Sequence, residues 1–319
     1  MRASVLRAAC LVAFAGFMMP AAAQESYPVR PVHMLVGFPA GGGADLVARG
    51  MQSALAGALG QPIAIRNVTG AGGTIAGQQV ASAVPDGYLT ILAPLGAGSV
   101  YLPHVRSIPY ALDALRPVCG VYDGPGTLMV AKDSPFHTVD DVIRIAREKP
   151  NQLNYASVGS GSPAHVVMTG FNKALGLQMV HVSYRGSADI AVAMRTGQVH
   201  FFADAFNIAA QLDLRPIALF RSAPLAEAPQ LPLMRNHGFP VEFSIHGGIF
   251  VPKATPETVV ERLQRACRDA VAAAETRTHF ERMKVVSMYM PGADYAEKLR
   301  RESLAVGNIV RESGIPRQD

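Results

Sequence analysis

Two rhythms of apolar and polar positions alternate along the chain. Val32-His33-Met34-Leu35-Val36 is a short apolar run of the kind that makes a buried strand. It gives way to Gly37-Phe38-Pro39-Ala40-Gly41-Gly42-Gly43-Ala44-Asp45. Val47, Gly50, Met51, Ala54, Leu55 and Ala58 then recur at helical spacing until Gly60 closes the helix. The cycle repeats with a strand at Pro62 to Ile65, the loop Gly70-Ala71-Gly72-Gly73, a helix from Thr74 to about Ala83, and a strand over 88–93. Further strands are predicted at 127–130, 153–156, 180–182, 199–203, 217–220 and 247–251. Thr138 with Asp141, and Ser162 with Pro163, read as helix starts. Other helices are predicted over 188–195 and from Thr255-Pro256 to about Ala274. The last helix is capped by Asp294 with Glu297 and turns Tyr295, Leu299, Val306 and Val310 inward.

Strands alternating with helices predict an α/β fold with mostly parallel sheets flanked by helices. The strand-like crossings near 127–130 and 247–251 point to an excursion. One lobe, residues 24–126 plus 252–319, would be interrupted by a second, residues 127–251, with a cleft between them. A length of 319 residues accommodates two such lobes, and 49 % hydrophobic with 17 % charged residues is a globular composition.

The first segment stands apart. Arg2 and Arg7 precede an apolar stretch from Ala8 to Met19, and Ala21-Ala22-Ala23 offers an A-x-A cleavage site before Gln24. This is a secretory leader, too short to span a bilayer. Removing Arg2 and Arg7 lowers the net charge from +5 to +3. The remaining basic residues are dispersed, without a Lys/Arg cluster or stacking aromatics, so nucleic acid is not the partner. Cys119 lies in an apolar run and Cys267 on an apolar helical stripe with Val260, Leu263 and Val271. Both read as buried small hydrophobes. An oxidising compartment permits one disulfide, and the sequence leaves their pairing open.

Four strand-to-helix loops are rich in Gly and Ser: 38–45, 69–74, 157–162 and 184–187. Such loops let a ligand approach backbone N–H groups at a helix start, where an anion is favoured. Nucleotide motifs fit poorly. Gly41-Gly42-Gly43 lacks the Lys and Ser/Thr of a P-loop, and Ile75 stands where a dinucleotide fingerprint needs its third glycine. No G-x-S-x-G elbow and no H-E-x-x-H occur, and the nine His are scattered without metal-ligand spacing. Neither a metal nor another cofactor is indicated. His165 reads equally as a cleft-lining donor and as a polar residue satisfying a helix start. Asp45 reads as a first-turn carboxylate or a ligand contact.

The ordered set of motifs resembles the substrate-binding receptors of tripartite tricarboxylate transporters, the Bug family of TctC-like periplasmic solute-binding proteins. It is carried by Tyr27-Pro28 through Pro31-Val32, Phe38-Pro39-Ala40-Gly41-Gly42-Gly43-Ala44-Asp45 with Ala48-Arg49, Gly70-Ala71-Gly72-Gly73 and Pro85-Asp86-Gly87-Tyr88. Leu153-Asn154-Tyr155-Ala156-Ser157, Gly159, Gly161-Ser162, His165, His181-Val182, Tyr184-Arg185-Gly186, Gly197-Gln198-Val199 and Asp204 continue it. The resemblance implies a two-lobed, type II-like periplasmic binding protein and no enzyme. It would be a monomer that delivers a small carboxylate to membrane transporter subunits, gripping it with backbone amides and hydroxyls rather than an arginine. By position it assigns the ligand to Phe38, Ala40, Gly41, Gly42, Asp45 and Gly72 in one lobe. Ser157, Gly161, Ser162, His165 and Asp204 would contribute from the other, with Asp204 at the distal end. The chain departs from the family at Ala205-Phe206-Asn207, at Ser183, at Arg66 and at His246, where an aromatic is frequent and the cleft wall would change. Two other readings remain open at this stage: a secreted hydrolase using Ser157 or Ser162 with His165, and a solute sensor not coupled to uptake.

Overall fold

The computed structural model describes residues 27–98 and 100–317, so the segment expected to be a leader, with its expected cleavage site, lies outside the described residues. The chain begins with β1 (Val32–Val36), α1 (Gly43–Gly50), α2 (Gln52–Leu59), β2 (Ile63–Asn67), α3 (Thr74–Ala81) and β3 (Leu89–Pro94). β1 pairs in parallel with both β2 and β3. Four of its five residues are buried, as expected of an inner strand covered on both faces. The single helix expected after β1 is two, broken at Met51 (φ −109°, ψ 0°). Gly50 lies directly under His279, where a Cβ would sit 2.2 Å from the ring.

A short α4 (Leu102–Val105) precedes β4 (Leu115–Asp123), and the chain then crosses to a second sheet. There it forms β5 (Gly126–Ala131), α5 (Val139–Glu148), β6 (Asn154–Ser157), α6 (Pro163–Ala174), β7 (Val180–Ser183), α7 (Ser187–Arg195), β8 (Phe201–Ala205), α8 (Phe206–Gln211) and β9 (Leu214–Leu219). Local sequence explains the helix starts. Thr138 and Asp141 form a reciprocal capping box on α5, and the Ser162 hydroxyl accepts the His165 N–H ahead of Pro163 at the first turn of α6. The chain returns through β10 (Gly247–Pro252), α9 (Glu257–Ala272), α10 (Ala274–Arg282), β11 (Val286–Pro291) and α11 (Gly292–Ser313). Tyr295, Leu299, Val306 and Val310 of α11 are buried as expected. Asp294 lies in its first turn and Pro291 holds the cap position, so Asp294 is not the cap.

The strand orders are β11-β4-β10-β3-β1-β2 and β7-β6-β8-β5-β9. Each sheet is flanked by helices, giving two α/β lobes. The sheets are mixed rather than mostly parallel. The strand–helix repeats give the parallel pairs around β1 and β6, whereas β4, β5, β9, β10 and β11 pair antiparallel. β10 belongs to the first sheet, between β3 and β4, so the returning chain crosses before residue 247 rather than after 251.

The two crossings run side by side. Gly124 N–H donates to Ile245 O (3.0 Å), Ile245 N–H to Gly124 O (2.9 Å) and Gly126 N–H to Phe243 O (2.9 Å). A Cβ on Gly126 would lie 2.4 Å from Phe243 O, so close approach of the two strands requires glycine there. His246 is fully buried and faces α11, bonded to the Tyr295 hydroxyl (2.9 Å) and to Glu302 Oε2 (2.6 Å). Lys298 completes this network on the other Glu302 oxygen (2.6 Å). The histidine therefore anchors the return crossing to the last helix instead of forming cleft wall.

Cys119 of β4 and Cys267 of α9 are joined in a disulfide, with Cα atoms 6.7 Å apart and both residues fully buried. Two cysteines that read as separate small hydrophobes are thus one cross-link within the first lobe. Among the described residues no helix is long and apolar enough to cross a membrane.

Candidate ligand-binding site

The carboxyl ends of β1 and β3 in the first lobe lead into loops that meet those following β6 in the second. Between them lies a cavity of about 510 Å³. Phe38, Gly72, Pro94, Leu95, Gly98, Tyr101, Leu102, Val105 and Arg106 line it from the first lobe. Val158, Ser160, Gly161, Ser162 and Pro163 line it from the second, and Ile245 of the return crossing forms its floor. Its size is that of a small-molecule site. The lobes touch beside it: a Cβ on Gly161 would lie 2.9 Å from Val105 Cγ2.

Of the residues expected from sequence, Phe38, Gly72, Gly161 and Ser162 share this wall. Ala40, Gly41, Gly42, Asp45, Ser157, His165 and Asp204 do not line it, and the bonds of all but Ala40 lie within the loops and strand ends around it. Asp45 is buried, and its carboxylate accepts from Gly41 N–H (2.8 Å), Arg49 Nε (2.9 Å) and Asn67 Nδ2 (2.9 Å). Burial opposes its ionisation, but these donors outweigh burial and hold its pKa at about 2. Asn67 Nδ2 also donates to Phe38 O (2.9 Å), so one acid and one amide fix the loop that presents Phe38. Ala40 and Gly41 are exposed and Gly42 half-buried at the top of that loop.

In the second lobe the buried Ser157 hydroxyl bonds Gly159 O (2.9 Å) and His181 Nε2 (2.7 Å). His165 Nδ1 accepts from Gly161 N–H (2.9 Å), which puts the ring proton on Nε2. Its ring stacks on that of His181, with centroids 4.0 Å apart. Burial, with a smaller contribution from His181, pushes the His165 pKa down to about 4, so it is neutral at ordinary pH. Ser162 Oγ meets the His165 backbone N–H (3.4 Å). No bond among the described residues joins the His165 ring to Ser157 or Ser162, so the pairing expected of a hydrolase built on His165 is not assembled; the histidine bonded to Ser157 is His181. Asp204, half-buried at the end of β8, accepts from Ala205 N–H (2.8 Å) and the Ser187 hydroxyl (3.4 Å). Burial outweighs these bonds and pushes its pKa up to about 6.

Several glycine-loop amides are spent inside their own loops. Gly41 N–H goes to Asp45, Gly42 to Pro39 O, Gly73 to Gly70 O, Ser162 to Gly159 O and Gly161 to His165. The charge in the cavity comes instead from Arg106, which the sequence reading did not single out. It follows the four-residue α4 in a stretch with neither helical nor strand periodicity. Only its position beside the Gly70–Gly73 loop reveals it, and that is a tertiary contact.

A second cavity of about 510 Å³ lies between α8–β9 and α10–β11. Glu227 and Glu281 accompany Lys284 there, and none of the sequence-predicted site residues lines it. This cavity too lies between the lobes, and Phe206 and Asn207, part of the departure after Asp204, belong to its wall and not to that of the cavity lined by Phe38 and Arg106. Among the described residues no group of three or more His, Cys, Asp or Glu could hold a metal.

The family of tripartite tricarboxylate transporter receptors matches residues 47–315. BugT of Bordetella pertussis is 33 % identical over 273 residues, covering 82 % of each chain. The solved structure of the periplasmic binding protein BugD is 26 % identical with a TM-score of 0.72, covering 92 % of this chain and all of that one. MatC from Rhodopseudomonas palustris, solved with bound malate, is 28 % identical with a TM-score of 0.71, covering 89 % of this chain and all of that one.

Proposed function

The chain belongs to the tripartite tricarboxylate transporter receptor family, whose members are periplasmic solute-binding receptors and not enzymes, and on that premise we propose that it holds a small carboxylate between its two lobes and passes it to a membrane transporter of the tripartite tricarboxylate type. The observation that carries this reading is the interlobe cavity. It gathers Phe38 and Gly72 from one lobe with Gly161 and Ser162 from the other, around Arg106. These five positions come from four separate stretches of sequence that the fold brings together. Malate in MatC supports a carboxylate as the ligand class here. Delivery to membrane subunits rests on the family alone.

Titration calorimetry of the ligand-stripped protein against mono-, di- and tricarboxylates tests the binding step. One class is expected to bind saturably with one site per chain. It should also stabilise the fold by about 2.7 kcal/mol at a hundredfold excess over Kd. No heat and no rise in Tm with any carboxylate would contradict the proposal.

A further inference from the structure

We propose that the solute is an amphipathic monocarboxylate, with one anionic group read by Arg106 and an apolar body of several carbons laid against Leu102, Val105, Val158 and Ile245. The proposal rests on the receptor reading above and narrows its ligand class.

Charge is the first argument. Among the residues lining the cavity, Arg106 is the one with a formal charge, and no described acidic side chain forms an ion pair with it. A guanidinium in a half-buried wall without a carboxylate partner is matched by an anion brought by the ligand. Placement is the second. Arg106 Nη2 donates to Ala71 O (2.6 Å), which fixes the planar group against the Gly70–Gly73 loop. That bond takes one of the five N–H donors a guanidinium carries. Gly72 permits the arrangement: its φ is +67°, and a Cβ there would lie 3.0 Å from Nη2. Gly72 thus serves the arginine's position.

The remaining polarity of the wall is neutral. Ser162 Oγ accepts from the His165 N–H, which leaves its hydroxyl proton to donate to a ligand oxygen. The amides of Gly161 and Ser162 in this wall are bonded inside their own loop. Most of the surface is hydrocarbon from Phe38, Leu95, Leu102, Val105, Val158 and Ile245. A second carboxylate would find no second cation in that wall and would lose most of its hydration against hydrocarbon. A methylene in the same place gains, by about fourfold in affinity for each one fully buried.

Calorimetry of the purified, ligand-stripped protein with butyrate, hexanoate, adipate and neutral hexanamide separates the outcomes. Hexanoate is expected to bind more tightly than butyrate, and more tightly than adipate by about tenfold or more, the cost of one unpaired charge. Arg106→Gln should weaken hexanoate about ten- to hundredfold, the range for a hydrogen bond to a charged group, and bring hexanoate and hexanamide to similar affinity. Arg106→Lys keeps the charge without the planar fork and should fall between. A Tm of the ligand-free variant equal to the parent's separates lost recognition from lost folding. Val158→Asn, at a site 44 % exposed, provides a second variant and should shrink the preference for hexanoate over butyrate. Adipate binding as tightly as hexanoate would overturn the monocarboxylate assignment while leaving the receptor reading intact, as would an Arg106→Gln protein that binds hexanoate like the parent. If none of these or other carboxylates binds, the receptor reading fails and this inference with it.

Discussion

Asp45 shows how a residue can be read correctly as important while its partner stays hidden. Its place in the first turn of a helix after Gly41-Gly42-Gly43 was legible in sequence. Its contact with Asn67, 22 positions away, was not, because it depends on β2 lying beside β1. The folded state holds its pKa at about 2, below the unfolded value, so its stabilisation is fully present above about pH 4 and is lost as pH falls through about 2. Asp45→Asn should therefore cost about 2 kcal/mol near neutral pH, with the gap to the parent closing below about pH 4. Urea unfolding across that pH range checks it, and a constant gap would show that ionisation is not the source. The histidines carry the same lesson. His246 was legible only as a polar residue where an aromatic is frequent, and its buried bonds to Tyr295 and Glu302 follow from the packing of α11. Arg106 was not legible, because nothing local marks an arginine whose role lies in its distance from Gly72.

At the scale of elements, periodicity located the strands and helices that carry a strong pattern. The central strands and the apolar faces of α5, α9 and α11 belong to that group. β11 escaped because all six of its residues are half-buried, which leaves no alternation to read. α4 and α8 escaped because four and six residues are too few to show a helical period. Alternation predicted parallel pairing, and this holds for the pairs that β1 makes with β2 and β3 and that β6 makes with β7 and β8. The antiparallel pairs arise where the chain crosses between lobes or returns at an edge. The Cys119–Cys267 bond ties β4, the last strand before the excursion, to α9, the first helix after it, across 148 positions. It closes a loop that contains the whole second sheet. Replacing both cysteines by alanine should lower unfolding stability by about 2–5 kcal/mol, the cost of freeing so long a loop in the unfolded chain. Carboxylate affinity should be unchanged, because neither cysteine lines the cavity. An unaltered urea midpoint would contradict this.

For the whole molecule, two lobes joined by paired crossings create a cleft whose walls come from distant parts of the chain. The excursion itself was visible in sequence. Its return point is not, because a strand that ends a visit and one that begins the next look alike in periodicity, and β10 belongs to the first sheet. α11 packs on β4 in the first lobe, and its Ile309 lies against Gly170 of α6 in the second, so the last helix spans both lobes. The account stands or falls on whether the ligand lies in the cavity that Phe38, Arg106 and Val158 line. Val158 projects from the second-lobe loop into that cavity and is 44 % exposed, so enlarging it adds bulk to the cleft without disturbing the core. Calorimetric titration of the Val158→Trp protein with the best-binding carboxylate is the most direct test. Binding is predicted to be abolished or weakened at least about a hundredfold, with the Tm of the ligand-free protein unchanged. Parental affinity in the Val158→Trp protein would place the solute elsewhere and contradict the account.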